Sequence, residues 1–188
     1  MQGRKVRFGI IGAGMIAHFH SDAIKSVEDA QLVAVCGSHP ERTRAFGEKY
    51  GIACYTDLDE FLANAPIDAV TVATPTGLHA AVAIPAARAG KHVLCEKPLD
   101  VTPEKSQAII DACRQAGVIL APVFQYRFCN GAVQLKKALD AGRFGRLLLV
   151  SGRIKWWRSQ EYYDSGAWRG TWDLDGGGCL MNQSIHTI

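Results

Sequence analysis

The residues with the plainest chemical use stand near the start of the chain. Val6, Phe8, Ile10 and Ile11 form a short apolar run that stops at Gly12-Ala13-Gly14. Met15-Ile16-Ala17 then opens a segment with helical spacing. A buried strand, a glycine turn and a helix start are the parts of a pyrophosphate-binding βα unit. Gly12 suits the tight turn. Gly14 lets the main chain approach a phosphate, because no Cβ stands in the way. Ala17 is small enough for the helix to lie close on the strand. The free N–H groups at Met15 and Ile16, at the positive end of the helix, would face the anion. The same turn also joins strands and helices that bind nothing, so the surrounding elements decide.

Those elements alternate. Helix is expected over Met15 to Val27, with Ile16, Phe19, Ala23, Ile24 and Val27 on its inner face. His18 and His20 read as solvent or phosphate neighbours without chemistry. Gln31 to Cys36 is the second strand, and Pro40 to Tyr50 the next helix. A short strand at Ala53 to Tyr55 and a brief helix at Asp57 to Ala63 follow. Asp68 to Ala73 is a buried strand closed by Thr74-Pro75-Thr76-Gly77, and His79 to Ala89 is helix, ended by Gly90. His92 to Cys95 leads into Glu96-Lys97-Pro98. Thr102 caps a helix with Pro103 at its first position, running to Ala116. Val118 to Val123 is the last apolar strand. Residues 6 to 123 therefore predict an α/β fold, a Rossmann-type doubly wound parallel sheet. Such sheets bind ligands beyond the carboxyl ends of their strands. That rule gathers Gly12 to Ala17, Gly37-Ser38, Thr74 to His79 and Glu96-Lys97-Pro98. Lys97, before a proline, reads on its own equally well as an exposed loop lysine.

The tip of the second strand bears on the cofactor. An NAD site usually carries an acid there for the ribose 2′-hydroxyl. This chain has Gly37-Ser38-His39-Pro40-Glu41-Arg42 instead. Ser38 and Arg42 would tolerate a 2′-phosphate, so the expected cofactor is NAD or NADP, leaning to NADP. Alternatively, Arg42 and Arg44 are only the exposed face of their helix.

After Tyr126 the pattern changes. A helix is expected over Gly131 to Ala141, capped by Gly142. Arg146 to Trp157 alternates like a long strand opening a second sheet. An aromatic and charged stretch then leads to Gly176-Gly177-Gly178 and a final run from Cys179 to Ile188. Trp156, Trp157, Trp168 and Trp172 read more readily as core or interface than as a sugar platform.

With 188 residues and 48% hydrophobic content, the chain can form a real core. A net charge of +3 without a basic block argues against a nucleic-acid or membrane-surface partner. No apolar run is long enough to span a membrane, and the N-terminus enters a strand without a signal-peptide core. The six cysteines lack CxxC spacing and read as small reduced core residues, as in a cytoplasmic protein. No metal site is expected, a zinc site being a remote alternative.

Glu96-Lys97-Pro98 after a strand, the glycine motif before it and GGGCLMNQSIH after it resemble the Gfo/Idh/MocA oxidoreductase family, over the whole chain. The resemblance implies residues 1–124 as an NAD(P)-binding Rossmann domain. It implies residues 125–188 as the beginning of an α+β substrate and oligomerisation domain, the chain stopping within it. The second domain is then expected to be poorly stabilised, and the full-length form to be a homo-oligomer. The resemblance makes Lys97 the family's lysine and His186 its histidine. Asn182 stands where the family has an acid; it hydrogen-bonds and orients but does not accept a proton as a carboxylate does. Tyr126, Arg127, Trp168 and Arg169 fall where the family lines its substrate pocket. Thr74, Pro75 and His79 match its cofactor-edge loop. The implied activity is hydride transfer between the nicotinamide and a hydroxyl or keto carbon of a sugar, polyol or related compound. Lys97 would polarise the substrate oxygen and His186 would do acid–base work, roles that could be exchanged. Glu96 would favour the charged form of Lys97. A non-catalytic dinucleotide sensor of the same fold, or an inactive fragment, stand as alternatives.

Overall fold

The computed structural model describes residues 4–187; Ile188, the end of the final run, lies outside them. Six parallel strands form one sheet, in the order β3-β2-β1-β4-β5-β6. They are β1 (Val6–Ile11), β2 (Ala30–Cys36), β3 (Ala53–Tyr55), β4 (Ala69–Val72), β5 (His92–Cys95) and β6 (Leu120–Pro122). The order reverses between β1 and β4, and a crevice opens beyond their carboxyl ends at such a switch point. The connecting helices are α1 (Met15–Ser26), α2 (Pro40–Tyr50), α3 (Leu58–Asn64), α4 (His79–Arg88) and α5 (Pro103–Ala116).

Local chemistry sets the helix ends. The Asp57 side chain accepts from the Glu60 N–H at 2.8 Å, and Thr102 Oγ1 from the Lys105 N–H at 3.2 Å. Gly51 and Gly117 close α2 and α5 in the left-handed region. Both faces of the sheet are covered. Phe61, Val70, Val72, Val93 and Ile109 fill one side, and Ile10, Val35 and Phe46 the other.

The inner face of α1 differs from the expected one. Ala17, Ser21 and Ile24 are buried, whereas Phe19 is 65% exposed and Val27 also faces solvent. The glycine turn fixes the phase of the helix: Ala17 must meet the sheet, so residues four and seven positions later do too. Ser21 satisfies its hydroxyl on the Ala17 carbonyl at 2.8 Å.

The second region departs further. Helix α6 (Asn130–Asp140) forms as expected, but the long strand over Arg146 to Trp157 does not. Leu148, Leu149 and Val150 are about four-fifths exposed. Alternation specifies a strand only when another strand completes its ladder, and none does so among the described residues. Two short helices, α7 (Gln160–Asp164) and α8 (Cys179–Asn182), follow, and a 3-10 turn over Ser184–His186 comes after them. Cys36, Cys95 and Cys113 are buried as expected, but Cys54, Cys129 and Cys179 are exposed; all six are free thiols. No helix among the described residues is long and apolar enough to cross a membrane.

Candidate active site

A cavity of about 1180 Å³ lies at the carboxyl ends of the strands, between the sheet and residues 156–186. Its floor is the glycine turn. Gly12 has φ +106°, and a Cβ there would press on the Ala73 carbonyl, so only glycine fits. Nothing lies within 4 Å of where a Gly14 Cβ would stand. No side chain caps α1 and no acid sits in its first turn, which leaves the positive helix end open towards an anion. Thr74 adds a buried hydroxyl with no partner among the described residues. This surface fits a dinucleotide pyrophosphate, with Gly12, Gly14, Met15 and Ile16 at the turn and Thr74 and Pro75 opposite.

Further polar and titratable side chains stand further along the cavity. The turn after β5 presents Glu96 and Lys97, and the Lys97–Pro98 peptide is cis. Lys97 Nζ donates to the Asn182 carbonyl at 2.6 Å and to Asn182 Oδ1 at 3.2 Å. Burial pulls the Lys97 pKa below its ordinary value, against the attraction of Glu96 and Asp175. His186 lies with its ring centroid 5.2 Å from that of Tyr126. Burial first, and the Lys97 charge second, hold its pKa below the usual imidazole value.

Residues 6–124 match the model of the oxidoreductase family with the NAD-binding Rossmann fold, and residues 132–188 match the GFO/IDH/MocA C-terminal domain. The chain belongs to the GFO/IDH/MocA oxidoreductases. Among the members it resembles, the D-glucoside 3-dehydrogenase of Escherichia coli (strain K12) is 33% identical over 100% of this chain and 53% of its own length. The inositol 2-dehydrogenase of Rhizobium meliloti (strain 1021) is 38% identical over 78% of this chain and 44% of its own. The WlbA dehydrogenase of Bordetella pertussis, solved in complex with NADH and UDP-GlcNAcA, superposes with a TM-score of 0.94 at 41% identity, covering 99% of this chain and 56% of that one. The chain thus spans about half the length of the curated relatives it matches.

Of the residues expected at the site of this GFO/IDH/MocA chain, Ser38, Arg42, Glu96, Lys97, Trp168, Arg169, Asn182 and His186 line the one cavity with the glycine turn. Arg127 does not: it sits exposed in the turn Gln125–Phe128, while Gln125 and Tyr126 face the cavity. At three residues per turn, successive side chains of a 3-10 turn point about 120° apart, so two neighbours can face the cavity while the third turns away, which the sequence pattern does not reveal. His79 is 1% exposed, with its ring between the Pro98 carbonyl at 2.9 Å and the Thr74 carbonyl at 3.1 Å. Burial keeps its pKa low, and a neutral ring donates to one of these carbonyls while it packs against the other. None of the four tryptophans is buried, contrary to a core role, and Trp156 and Trp168 line the cavity.

Three residues of this site were not expected. His20 is no solvent neighbour: Nε2 meets Glu96 Oε1 at 2.8 Å, and Nδ1 meets Thr71 Oγ1. Burial works to raise the Glu96 pKa, but the His20 hydrogen bond and charge, with help from Lys97, bring it below the ordinary value. The helical phase set by Ala17 was the available signal, since His20 lies between Ala17 and Ile24 on the inner side. Asp175, 2% exposed, accepts from the Gly170 N–H at 2.7 Å and from Asn182 Nδ2. Its place directly before three glycines carried no chemical signal. Arg158 lies over the Trp156 and Tyr162 rings at 5.5 and 5.1 Å and donates to Gln183 Oε1 at 2.7 Å. Its Nε is buried without a partner among the described residues.

Gly176, Gly177 and Gly178 all have positive φ, at 81°, 116° and 82°. Side chains at the first two would strike Val101 and Trp172 respectively. The triplet is therefore a turn only glycine can make. It swings α8 back so that Asn182 reaches Lys97.

Proposed function

We propose that this chain carries the cofactor half and the acid–base centre of an NAD(P)-dependent oxidoreductase acting on a sugar or related hydroxy compound. The observation that carries this reading is the convergence of Lys97, Asn182 and His186 on the cavity whose floor is the glycine turn. When bound, the nicotinamide takes up or returns the hydride.

The residues divide the remaining work. Oxidising a secondary alcohol requires removal of its hydroxyl proton as the hydride leaves. Burial first and the Lys97 charge second lower the His186 pKa, which favours the neutral ring that can accept that proton. An ammonium has three donors; Lys97 uses two on Asn182, which leaves one for the substrate oxygen. There its charge would stabilise the developing alkoxide. Pressed down by burial, Lys97 also has the easier proton exchange that an exchanged role would need.

The finer readings rest on the same cavity. The lining near β2 offers Ser38, His39 and Arg42 and no carboxylate, which supports tolerance of a 2′-phosphate and so of NADP beside NAD. Arg158 and Arg169 face the substrate end with no carboxylate partner among the described residues. That charge suits an anionic substrate, and a UDP-linked sugar such as the one named for the WlbA complex fits it better than a neutral polyol. The six free thiols suit a reducing cytoplasm, and the full-length protein is read as a homo-oligomer.

Lys97→Met tests the reading. Turnover should fall by about a thousandfold or more, while NADH and NADPH still quench intrinsic fluorescence on binding. A variant that keeps its kcat overturns the role of Lys97. A turnover panel comparing UDP-sugars with inositols tests the substrate class.

A further inference from the structure

The family places an acid where this chain has Asn182, yet a carboxylate stands directly behind that amide. Asp175 is 2% exposed and takes two hydrogen bonds, from the Gly170 N–H at 2.7 Å and from Asn182 Nδ2. Asn182 Oδ1 in turn accepts from Lys97 Nζ at 3.2 Å and from Gln183 Nε2 at 3.3 Å. The chemistry of the partners fixes which way the amide points. An ionised carboxylate only accepts and an ammonium only donates, so Nδ2 must face Asp175 and Oδ1 must face Lys97. Turning the amide over would set its NH₂ against the ammonium and its carbonyl against the carboxylate.

We propose that Asp175 is a positioning residue for the hydride-transfer centre, acting through the Asn182 amide to aim and charge-balance Lys97. The inference rests on Lys97 being the group that bonds the substrate oxygen. The pair Asp175–Asn182 replaces a single carboxylate by a charge one residue further back, with a polarised amide between. The arrangement keeps negative charge close enough to favour the protonated form of Lys97 and fixes the oxygen that Nζ meets. The charged and titratable groups acting on Lys97 are Glu96 beside it, Asp175 behind Asn182, Arg169 across the cavity, and His186 from the end of the chain. Only Asp175 reaches it through a side chain that also bonds Nζ.

Charge exchange between the two positions tests this. In Asp175→Asn, one partner must be lost. If the new amide offers oxygen to Gly170, its NH₂ faces Asn182 Nδ2; if it turns over, Gly170 loses its acceptor. In the double variant Asp175→Asn with Asn182→Asp, all contacts return. The new amide oxygen accepts from Gly170, and its NH₂ donates to the carboxylate now at position 182. That carboxylate also accepts from Lys97 and Gln183. The readouts, taken on the intact protein, are kcat, KM and the pH dependence of Lys97 acylation followed by mass spectrometry. Acylation needs no turnover, so it reports on Lys97 even if Lys97→Met were to stay active and the catalytic reading failed.

Asp175→Asn should lower kcat about tenfold, the rate equivalent of one misdirected buried hydrogen bond, with little change in KM. Its Lys97 midpoint should move to lower pH, because a favourable negative charge has gone. The double variant should return the midpoint to or above its original position and recover most of kcat. Unchanged kcat and midpoint in Asp175→Asn overturn the proposal. So does a fall in kcat with an unmoved midpoint and no recovery on exchange, which marks a purely structural residue. Should Asp175→Asn not fold, the double variant decides: a folded protein with the Lys97 midpoint at or above its original position supports the relay, and one that does not fold, or whose midpoint lies lower, overturns it.

Discussion

The two regions of this chain are held together by different physics. Residues 6–124 have two apolar clusters on either side of the sheet, with Phe61, Ile10, Val70 and Ile109 fully enclosed. In residues 125–187 the buried side chains are Asp175 and Ser184, both polar. The second region gains its order from turns, hydrogen bonds and docking onto the first. The Gly77 N–H donates to the Leu174 carbonyl at 3.0 Å, Lys97 grips Asn182, and Gly176 lies against Val101. A scaffold that folds on its own core can present fixed groups such as Lys97. A region held by polar contacts can supply the opposing groups while its own stability stays low.

The comparison is tested most strongly in the core. Phe61 is fully buried and its ring meets Tyr55 edge-on at 5.6 Å between centroids. Phe61→Ala should cost about 3–5 kcal/mol, read as a lower urea midpoint for loss of far-UV circular dichroism. Both regions should be lost together, because the second has no apolar core of its own. Loss of the first region alone would refute the dependence.

A smaller effect is expected where the regions meet. A side chain at Gly77 would overlap the Asp173 carbonyl and crowd Leu174. Gly77→Val should cost about 1–3 kcal/mol of docking by overpacking. Limited proteolysis should then cut residues 125–187 sooner, with the melting of the Rossmann region nearly unchanged. Equal destabilisation of both would mean that they unfold as one unit.

The same division governs what the sequence made legible. In the first region each strand and helix could be placed to within a residue or two, because propensity, caps and burial agree there. Pro40, Thr102-Pro103, Gly51 and Gly117 mark helix ends by local chemistry alone. The glycine turn and the loops that line one cavity with it followed from the same elements. The inner face of α1 did not, since Phe19 outweighs Ser21 in hydrophobicity while Ala17 decides the phase. In the second region the period-two pattern of Arg146 to Trp157 was real, but no partner strand completes a ladder among the described residues. Lys97, Asn182 and His186 were named by resemblance. Asp175 and His20 needed coordinates, because their meaning lies in contacts across 7 and 76 residues of sequence respectively.

An electrostatic test separates the regions by pH. Asp68 at the start of β4 accepts from the Arg7 N–H at 2.9 Å, from Arg7 Nε at 3.0 Å and Nη2 at 2.8 Å, and from Arg4 Nη2 at 2.7 Å. The Arg7 side chain above all holds its carboxyl well below the usual carboxylate range, against the effect of burial. A depressed folded pKa gives stability that is fully present above the unfolded value, about 3.9, and lost as pH falls through the folded one. Stability of the Rossmann region should therefore drop below about pH 4. Asp68→Asn should be less stable at pH 7 and lose less on acidification, measured by urea midpoints from neutral pH down into the acid range. An unchanged pH slope in the variant would show that this cluster, partly open to water, contributes nothing measurable.

The smallest effect is expected on the open stretch of the second region. Leu149 is 85% exposed and Leu148 79%. A leucine that buries nothing loses little on truncation, so Leu149→Ser should lie within about 0.5 kcal/mol of the parent in its denaturation midpoint. The contrast with Phe61→Ala, an apolar residue changed in the same protein, isolates burial as the cause. A loss of about 2 kcal/mol or more would mean that the stretch is enclosed in solution, and that the second region has an apolar contact of its own. In that case Gly77→Val should leave residues 125–187 protected from protease rather than cut sooner.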